Sequence, residues 1–136
     1  VEEKLAEVKI GEARIIRDAS KSNIILNFGS LLYIAEEVAH SLDLTLIDMR
    51  FVKPLDEKIL LEYLQTADIF FSIEDGSVMG GAGSAVQEFC SENNINIKSL
   101  LFGIPDKFIE HASRDEMLIE AGLSPKQIIS KIKELI

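Results

Sequence analysis

The strongest constraint on the fold is a regular alternation of β-rich runs with amphipathic segments between residues 23 and 102. Such alternation is typical of right-handed crossover connections, which build a parallel sheet with helices on both faces. The predicted strands span 13–17, 23–28, 44–49, 67–73 and 95–102. The predicted helices between them span 30–42, 56–65 and 82–92.

The first predicted strand departs from this pattern. Only the turn-forming stretch DASKS joins 13–17 to 23–28, whereas a parallel crossover takes roughly a dozen residues. These two runs should therefore pair antiparallel if they pair at all. We expect an α/β fold with an open five-stranded sheet, mostly parallel with one antiparallel strand, and helices on both faces.

Capping residues mark the starts of three predicted helices. Asp56 opens the second predicted helix and can accept hydrogen bonds from its free N–H groups. Ser113 with Glu116, and Ser124 with Gln127, have the spacing of capping boxes. Two further helices are therefore predicted after residue 112.

Composition limits the classes of partner. The net charge of −9 repels phosphate backbones and anionic lipid surfaces, so neither nucleic acid nor membrane is an expected partner. No apolar run approaches the ~20 residues that a membrane span needs, and a soluble protein is expected.

Cys90 is expected to be a buried packing residue in a reducing compartment. Residues 1–10 are mostly charged and only weakly periodic, so a linker or arm is expected over 1–10 and a domain over 11–136. The start has no secretory pattern, and the missing Met suggests a piece of a longer polypeptide.

Four loops follow the predicted strands at their carboxyl ends, where open α/β sheets usually hold ligands or partners. These loops are 29–30, 50–56, 74–83 and 103–108. The third loop is the richest in glycine, with Gly80, Gly81 and Gly83 between a strand and a helix. Its N–H groups could receive an anion, or its glycines could let helix and strand pack closely. We favour packing, because neither a Walker loop nor a G-x-G-x-x-G fingerprint is present.

A thiamine-cofactor motif is also considered and rejected. Asp75-Gly76 followed by Asn93-Asn94 resembles the G-D-G and asparagine pair that hold a metal diphosphate. Glu74 stands where the first glycine belongs, and the gap between the two parts is too short. The asparagines also fall after a helix, where they cannot reach back to an Asp at its start.

Titratable residues in these loops leave two interpretations open. Glu74 and Asp75 could act as acid and base, but we favour a hydrogen bond to the glycine loop or a contact with a neighbouring domain. Arg50 and Lys53 could pair with this acidic loop and orient it. His111 is a better functional candidate than His40, which is expected to be a solvated residue on a helix. A lone histidine is nevertheless more often a structural hydrogen-bonding residue than a catalytic one.

Three segments resemble the C-terminal domain of the 1-deoxy-D-xylulose-5-phosphate synthase family, in the transketolase C-terminal superfamily. They are LIDMRFVKPLDEKIL, FFSIEDGSVMGGAGSAVQEF, and LFGIPDKFIEH with GLSPKQII. The resemblance runs from about Lys9 to the end with order and spacing kept. Asn27-Phe28-Gly29-Ser30 departs from the usual Gly-Thr-Gly-like turn, and Ala112 stands where glycine is common.

The resemblance implies a cytoplasmic transferase that condenses pyruvate with glyceraldehyde 3-phosphate to 1-deoxy-D-xylulose 5-phosphate and carbon dioxide, for isoprenoid and thiamine biosynthesis. It implies that thiamine diphosphate and magnesium are held by preceding domains, and that this piece binds neither and is inactive alone. The expected partners are those domains and a second subunit in a homodimer. Alternatives are the equivalent domain of a transketolase or 2-oxoacid dehydrogenase β subunit, or a free-standing phosphate- or nucleotide-binding domain. The candidate interface residues are Arg50, Lys53, Asp56, Glu74, Asp75, Gly80, Gly81, Gly83, Asp106, Phe108 and His111.

Overall fold

A computed structural model describes residues 7–19, 22–104 and 113–136 of the chain. The strands in these ranges are β1 (Arg14–Arg17), β2 (Asn23–Phe28), β3 (Thr45–Asp48), β4 (Ile69–Ser77) and β5 (Lys98–Ile104). The helices are α1 (Leu32–Leu42), α2 (Glu57–Leu64), α3 (Ala82–Glu92), α4 (Arg114–Glu120) and α5 (Pro125–Lys133). No helix in this described part of the chain has the length and apolar character needed to cross a bilayer.

The sheet has the order β1-β3-β2-β4-β5. Strands β2 to β5 run parallel, and β1 pairs antiparallel with β3. The predicted mixed five-stranded sheet is confirmed. The first two strands do not pair, however, because β3 and β4 occupy the two sides of β2 and leave β1 the outer edge of β3.

Each face of the sheet carries its own hydrophobic core. One core packs β2 and β4 side chains such as Ile25 and Phe71 against α1 and α5. The other packs Leu26 and Phe70 against α2 and α3. All four of these side chains are at most 1% exposed, as expected for central strands covered on both sides. The two clusters lie on opposite faces of the same sheet.

The helix ends follow the capping signals. The Asp56 carboxylate accepts the Ile59 N–H at 3.2 Å, and Ser124 forms the predicted reciprocal capping box with Gln127. Cys90 is buried in the second core as predicted, and burial raises the pKa of its thiol.

One strand boundary differs from the prediction in a way that matters for the site. Strand β4 continues four residues past Ile73, because Ser77 still pairs with Ile104 on β5 across an irregularity in the register. The apolar pattern stops at Ile73, so periodicity could not detect this extension. Glu74 and Asp75 consequently lie within a strand and have the alternating orientation that a strand imposes.

Candidate functional site

The carboxyl edge of the sheet brings the predicted loops together around its topological switch point. Strand β2 connects through α1 to β3 on one side, whereas the adjacent β4 connects through α3 to β5 on the other side, so the crossovers leave these two neighbouring strands in opposite directions. The end of β2 is next to the acidic part of β4, with Phe28 opposite Glu74. Ser30 and the 74–83 loop are therefore neighbours at the place where α/β sheets form a crevice.

Glu74 is a buried carboxylate that binds the first turn of α3. It is 4% exposed, and its Oε1 accepts the Ala82 N–H at 3.1 Å while Oε2 accepts the Gly83 N–H at 2.9 Å. Both donors belong to the free N–H groups at a helix start, where the helix dipole also favours a negative charge. The predicted bond between an acid and the glycine loop is thus confirmed for Glu74.

The same contacts decide between the two interpretations of the glycine loop. The donors that an external anion would need, at Ala82 and Gly83, already bind Glu74. A Cβ at Gly81 would collide with the Glu74 carboxylate and the Ser77 carbonyl oxygen. A Cβ at Gly83 would collide with Ser72 Oγ and the Leu101 side chain on the adjacent strands. Gly81 and Gly83 therefore permit close packing of helix and strand, as favoured from the sequence.

Gly80 has a different function in this loop. Its φ is +65°, a left-handed conformation that glycine adopts without steric cost, and a Cβ there would meet no atom within 4 Å. Gly80 therefore turns the chain between β4 and α3, whereas Gly81 and Gly83 permit close approach.

Asp75 belongs to a second network, on the opposite face of β4. Its Oδ2 accepts the Ser30 hydroxyl at 2.6 Å and the Ser30 N–H at 2.9 Å. Arg114 Nη2 in turn donates to Ser30 Oγ at 3.0 Å. The hydrogen bonds from Ser30, together with the Arg114 charge, hold the pKa of the Asp75 carboxyl below its usual value.

Two members of this Asp75–Ser30–Arg114 network were missed in the sequence. Ser30 follows β2 without a hydrolase motif, and Arg114 lies 84 residues further along the chain. No local pattern links them. The one available signal was the position of Ser30 in a carboxyl-end loop beside the loop of Asp75.

The loop 50–56 is organised by Asp56. Besides capping α2, this carboxylate accepts the Ala13 N–H at 2.8 Å and so ties the segment before β1 to the loop. Arg50 has a left-handed φ of 63°, and the Lys53–Pro54 peptide is cis. Among the described residues, neither Arg50 nor Lys53 pairs with Glu74 or Asp75. The proposed contact between these two loops is therefore not formed within this chain.

Three other candidates, Asp106, Phe108 and His111, lie outside the described residues. The structure adds two exposed apolar side chains that the sequence analysis did not select. Met79 is 76% exposed on the 74–83 loop and Val52 is 38% exposed on the 50–56 loop. The described ranges contain no group of three or more His, Cys, Asp or Glu that could hold a metal ion.

Comparison with known proteins identifies relatives over nearly the whole chain. A sequence model of the transketolase C-terminal domain family matches residues 11–128. The chain is 44% identical over 133 residues to a 1-deoxy-D-xylulose-5-phosphate synthase of Marinomonas sp. (strain MWYL1), covering 98% of this chain and 21% of that protein. A synthase of the same name from Histophilus somni (strain 2336) is 42% identical over 134 residues, which cover 98% of this chain and 22% of that protein. The chain thus spans about a fifth of the length of the curated relatives it matches.

Solved structures agree on the fold. A split-gene transketolase, described as an inactive β4 tetramer, superposes with a TM-score of 0.85 at 25% identity, covering 95% of this chain and 43% of that one. The transketolase of Campylobacter jejuni superposes with a TM-score of 0.66 at 18% identity, covering 95% and 19%. At that lower identity the likeness supports the fold alone.

Replacing Glu74 by Gln should destabilise the chain by about 2–3 kcal/mol, because charge-assisted bonds are lost and an NH2 group faces a backbone donor. The free energy of unfolding in urea is the measurement. Glu88→Gln is the matched control, because Glu88 is exposed on α3, the helix that Glu74 binds. This variant should change the free energy of unfolding by less than about 0.5 kcal/mol. Equal stability of the two variants would show that the Glu74 bonds contribute nothing.

Asp75 should titrate below the 3.8 of a free aspartate, and Ser30→Ala should move its pKa upward more than Arg114→Gln does. Because the folded-state pKa is lowered, this carboxylate stabilises the fold above the unfolded pKa, and the contribution is lost as pH falls through the folded value. The carboxyl-carbon chemical shift of Asp75, followed from about pH 2 to pH 6, measures both effects. Ser91→Ala, on the far end of α3, should leave the titration unchanged. An unshifted Asp75 in the Ser30 variant would contradict the assignment.

Proposed function

This chain belongs to the transketolase C-terminal domain family, and we propose on that basis that it is the C-terminal assembly and dimerisation domain of a 1-deoxy-D-xylulose-5-phosphate synthase. The observation that carries this proposal is the combination of 44% identity across 98% of the chain with coverage of only 21% of the relative. The longer enzyme would condense pyruvate with glyceraldehyde 3-phosphate and release carbon dioxide. We further propose that it works in the cytoplasm and that residues 1–10 are the arm from the preceding domain.

Thiamine diphosphate and magnesium are assigned in this proposal to other domains of the longer enzyme. The described residues do not fit either group. The helix N-terminus that could receive a phosphate is filled by Glu74, and no metal-holding cluster is found among the residues described. The isolated chain is accordingly proposed to be inactive.

The proposed contact surface is the carboxyl edge of the sheet. Its loops carry exposed apolar groups, Met79 and Val52, beside the charged residues Arg50, Lys53 and Asp75. Methionine and arginine are enriched in the cores of protein interfaces, so this mixture suits docking against a neighbouring domain or second subunit. Glu74, Gly81 and Gly83 support the surface from within, because they fix the loop that presents Met79.

A transketolase origin is the second candidate, favoured by the TM-score of 0.85 to a split-gene transketolase. Identity to that protein is 25%, against 44% to the Marinomonas synthase, so the synthase assignment is preferred. The coding sequence upstream of Val1 distinguishes them, because a synthase should continue into thiamine-binding domains of its own type.

Met79→Asp in the full-length enzyme should weaken self-association or domain docking at least tenfold, since a charge would be placed in an apolar contact. Molar mass by light scattering across a dilution series measures subunit association, and limited proteolysis between domains measures docking. Leu135→Asp is the control, because Leu135 is also exposed, at 51%, but lies at the end of the chain after α5. Unchanged mass and unchanged proteolysis for Met79→Asp would remove this loop from the proposed surface.

Calorimetry on the 136-residue chain should show no binding of thiamine diphosphate with magnesium, and none of common nucleotides. The physical reason is that Glu74 already occupies the anion-binding N–H groups of α3. Glu74→Gly tests this reason directly, because it removes the carboxylate that accepts the Ala82 and Gly83 N–H groups and puts no other side chain in its place. Tight nucleotide binding by the unmodified chain would instead support a free-standing ligand-binding domain.

A further inference from the structure

A cavity of about 200 Å³ opens at the carboxyl edge, between the end of β4, the start of α1 and helix α4. Most of its lining is apolar and comes from three parts of the chain. The apolar lining residues are Leu31, Ile104, Met117, Leu118 and Ala121. None of these five apolar residues belongs to the glycine loop or to the exposed pair Val52 and Met79, and the cavity shares Asp75 with the proposed docking surface.

The position of the cavity is the one that the sheet topology favours for a ligand. Ser30 follows β2 and Asp75 lies in β4, the two strands between which the crossover direction reverses. In open α/β sheets the crevice at this switch point is the usual ligand site. An apolar pocket with a few convergent polar groups is also the usual form of a small-molecule site.

Two side chains of opposite charge, Asp75 and Arg114, line the cavity, and both bind the Ser30 hydroxyl group. Asp75 accepts from Ser30, and Arg114 donates to the same Ser30 oxygen. Within the described ranges Arg114 donates one hydrogen bond, from Nη2, although a guanidinium has five N–H donors, so donors remain for a carboxylate. The Asp75 carboxylate is exposed at the rim, where it can attract a cationic group.

This pairing selects against ligands of a single charge. An anion placed on Arg114 would also lie near Asp75 and be repelled by it, and a simple amine at Asp75 would meet the repulsion of Arg114. A zwitterion satisfies both groups, since it carries one charge of each sign, and Asp75 and Arg114 both bind the Ser30 hydroxyl from opposite ends of its hydrogen bonds. The apolar lining then accounts for the remainder of the molecule.

We propose that this cavity binds a small zwitterion, an α-amino acid with an apolar side chain. Its carboxylate binds Arg114, its ammonium group binds Asp75, and its side chain lies against Leu31, Met117 and Leu118. This binding function goes beyond assembly and does not require the longer enzyme.

The test is an NMR titration of the isotope-labelled 136-residue chain with L-leucine. Saturable amide shifts are expected at Leu31, Asp75 and Ala121. Three probes each remove one recognised feature: 4-methylpentanoate lacks the ammonium group, 3-methylbutylamine lacks the carboxylate, and glycine lacks the apolar side chain. Each should bind at least about tenfold more weakly than leucine, the loss that one charge-assisted contact or an apolar side chain typically causes.

Variants test the two charged partners separately. Asp75→Asn and Arg114→Gln should each weaken leucine binding about tenfold or more. The matched controls are Asp115→Asn, on the neighbouring position of α4, and Arg14→Gln, on the distant edge strand β1, and both should leave the Kd unchanged. The proposal is overturned by the absence of saturable shifts up to about 20 mM leucine, or by 4-methylpentanoate binding as tightly as leucine. Because the probe series uses the unmodified chain, it decides the question even if a variant fails to fold.

Discussion

The bond between the Glu74 carboxylate and the start of α3 is the interaction on which the carboxyl edge depends. Strand β4 lies inside the sheet between β2 and β5, and the carboxylate joins it directly to the Ala82 and Gly83 N–H groups. The seven residues between the acid and Ala82 are thereby closed into a fixed loop. Burying a charge is costly unless it is hydrogen-bonded, and here two backbone donors and the helix dipole offset that cost. This contact, together with the left-handed turn at Gly80, sets the course of the chain from β4 into α3.

This arrangement explains how a fold that commonly binds phosphates can serve a structural role. The sheet retains the parallel order and the strand-to-helix glycine turn that elsewhere receive an anion. In this chain the anion is supplied internally, so the helix start is neutralised before any ligand arrives. The loop is then available to present Met79 outward, which fits the assembly role proposed for a transketolase C-terminal domain.

The sequence was informative where the structural determinant was local. Strand β2 and helix α3 have the predicted bounds, because periodicity, β-rich composition and the Asn93-Asn94 end signal all agree. The partner of β1 was not predictable, since strand order depends on which longer strands occupy the sides of β2. The Asp75–Ser30–Arg114 network was also out of reach. Its members come from three elements, and only the folded sheet brings them together.

The alternation of a β-strand explains why two adjacent acids acquire different roles. Successive side chains point to opposite faces, so Glu74 lies on the α2 and α3 side with Phe70, while Asp75 lies on the α1 side with Phe71. Glu74 therefore lies next to the start of α3, and its carboxylate accepts hydrogen bonds from that helix. Asp75 meets a serine, an arginine and an apolar cavity, and it stays exposed. Had β4 ended at Ile73, as its apolar pattern indicates, this separation would not be enforced. Because β4 continues for four more residues, the Glu74 carboxylate is buried against α3, whereas the Asp75 carboxylate lies at a candidate ligand site.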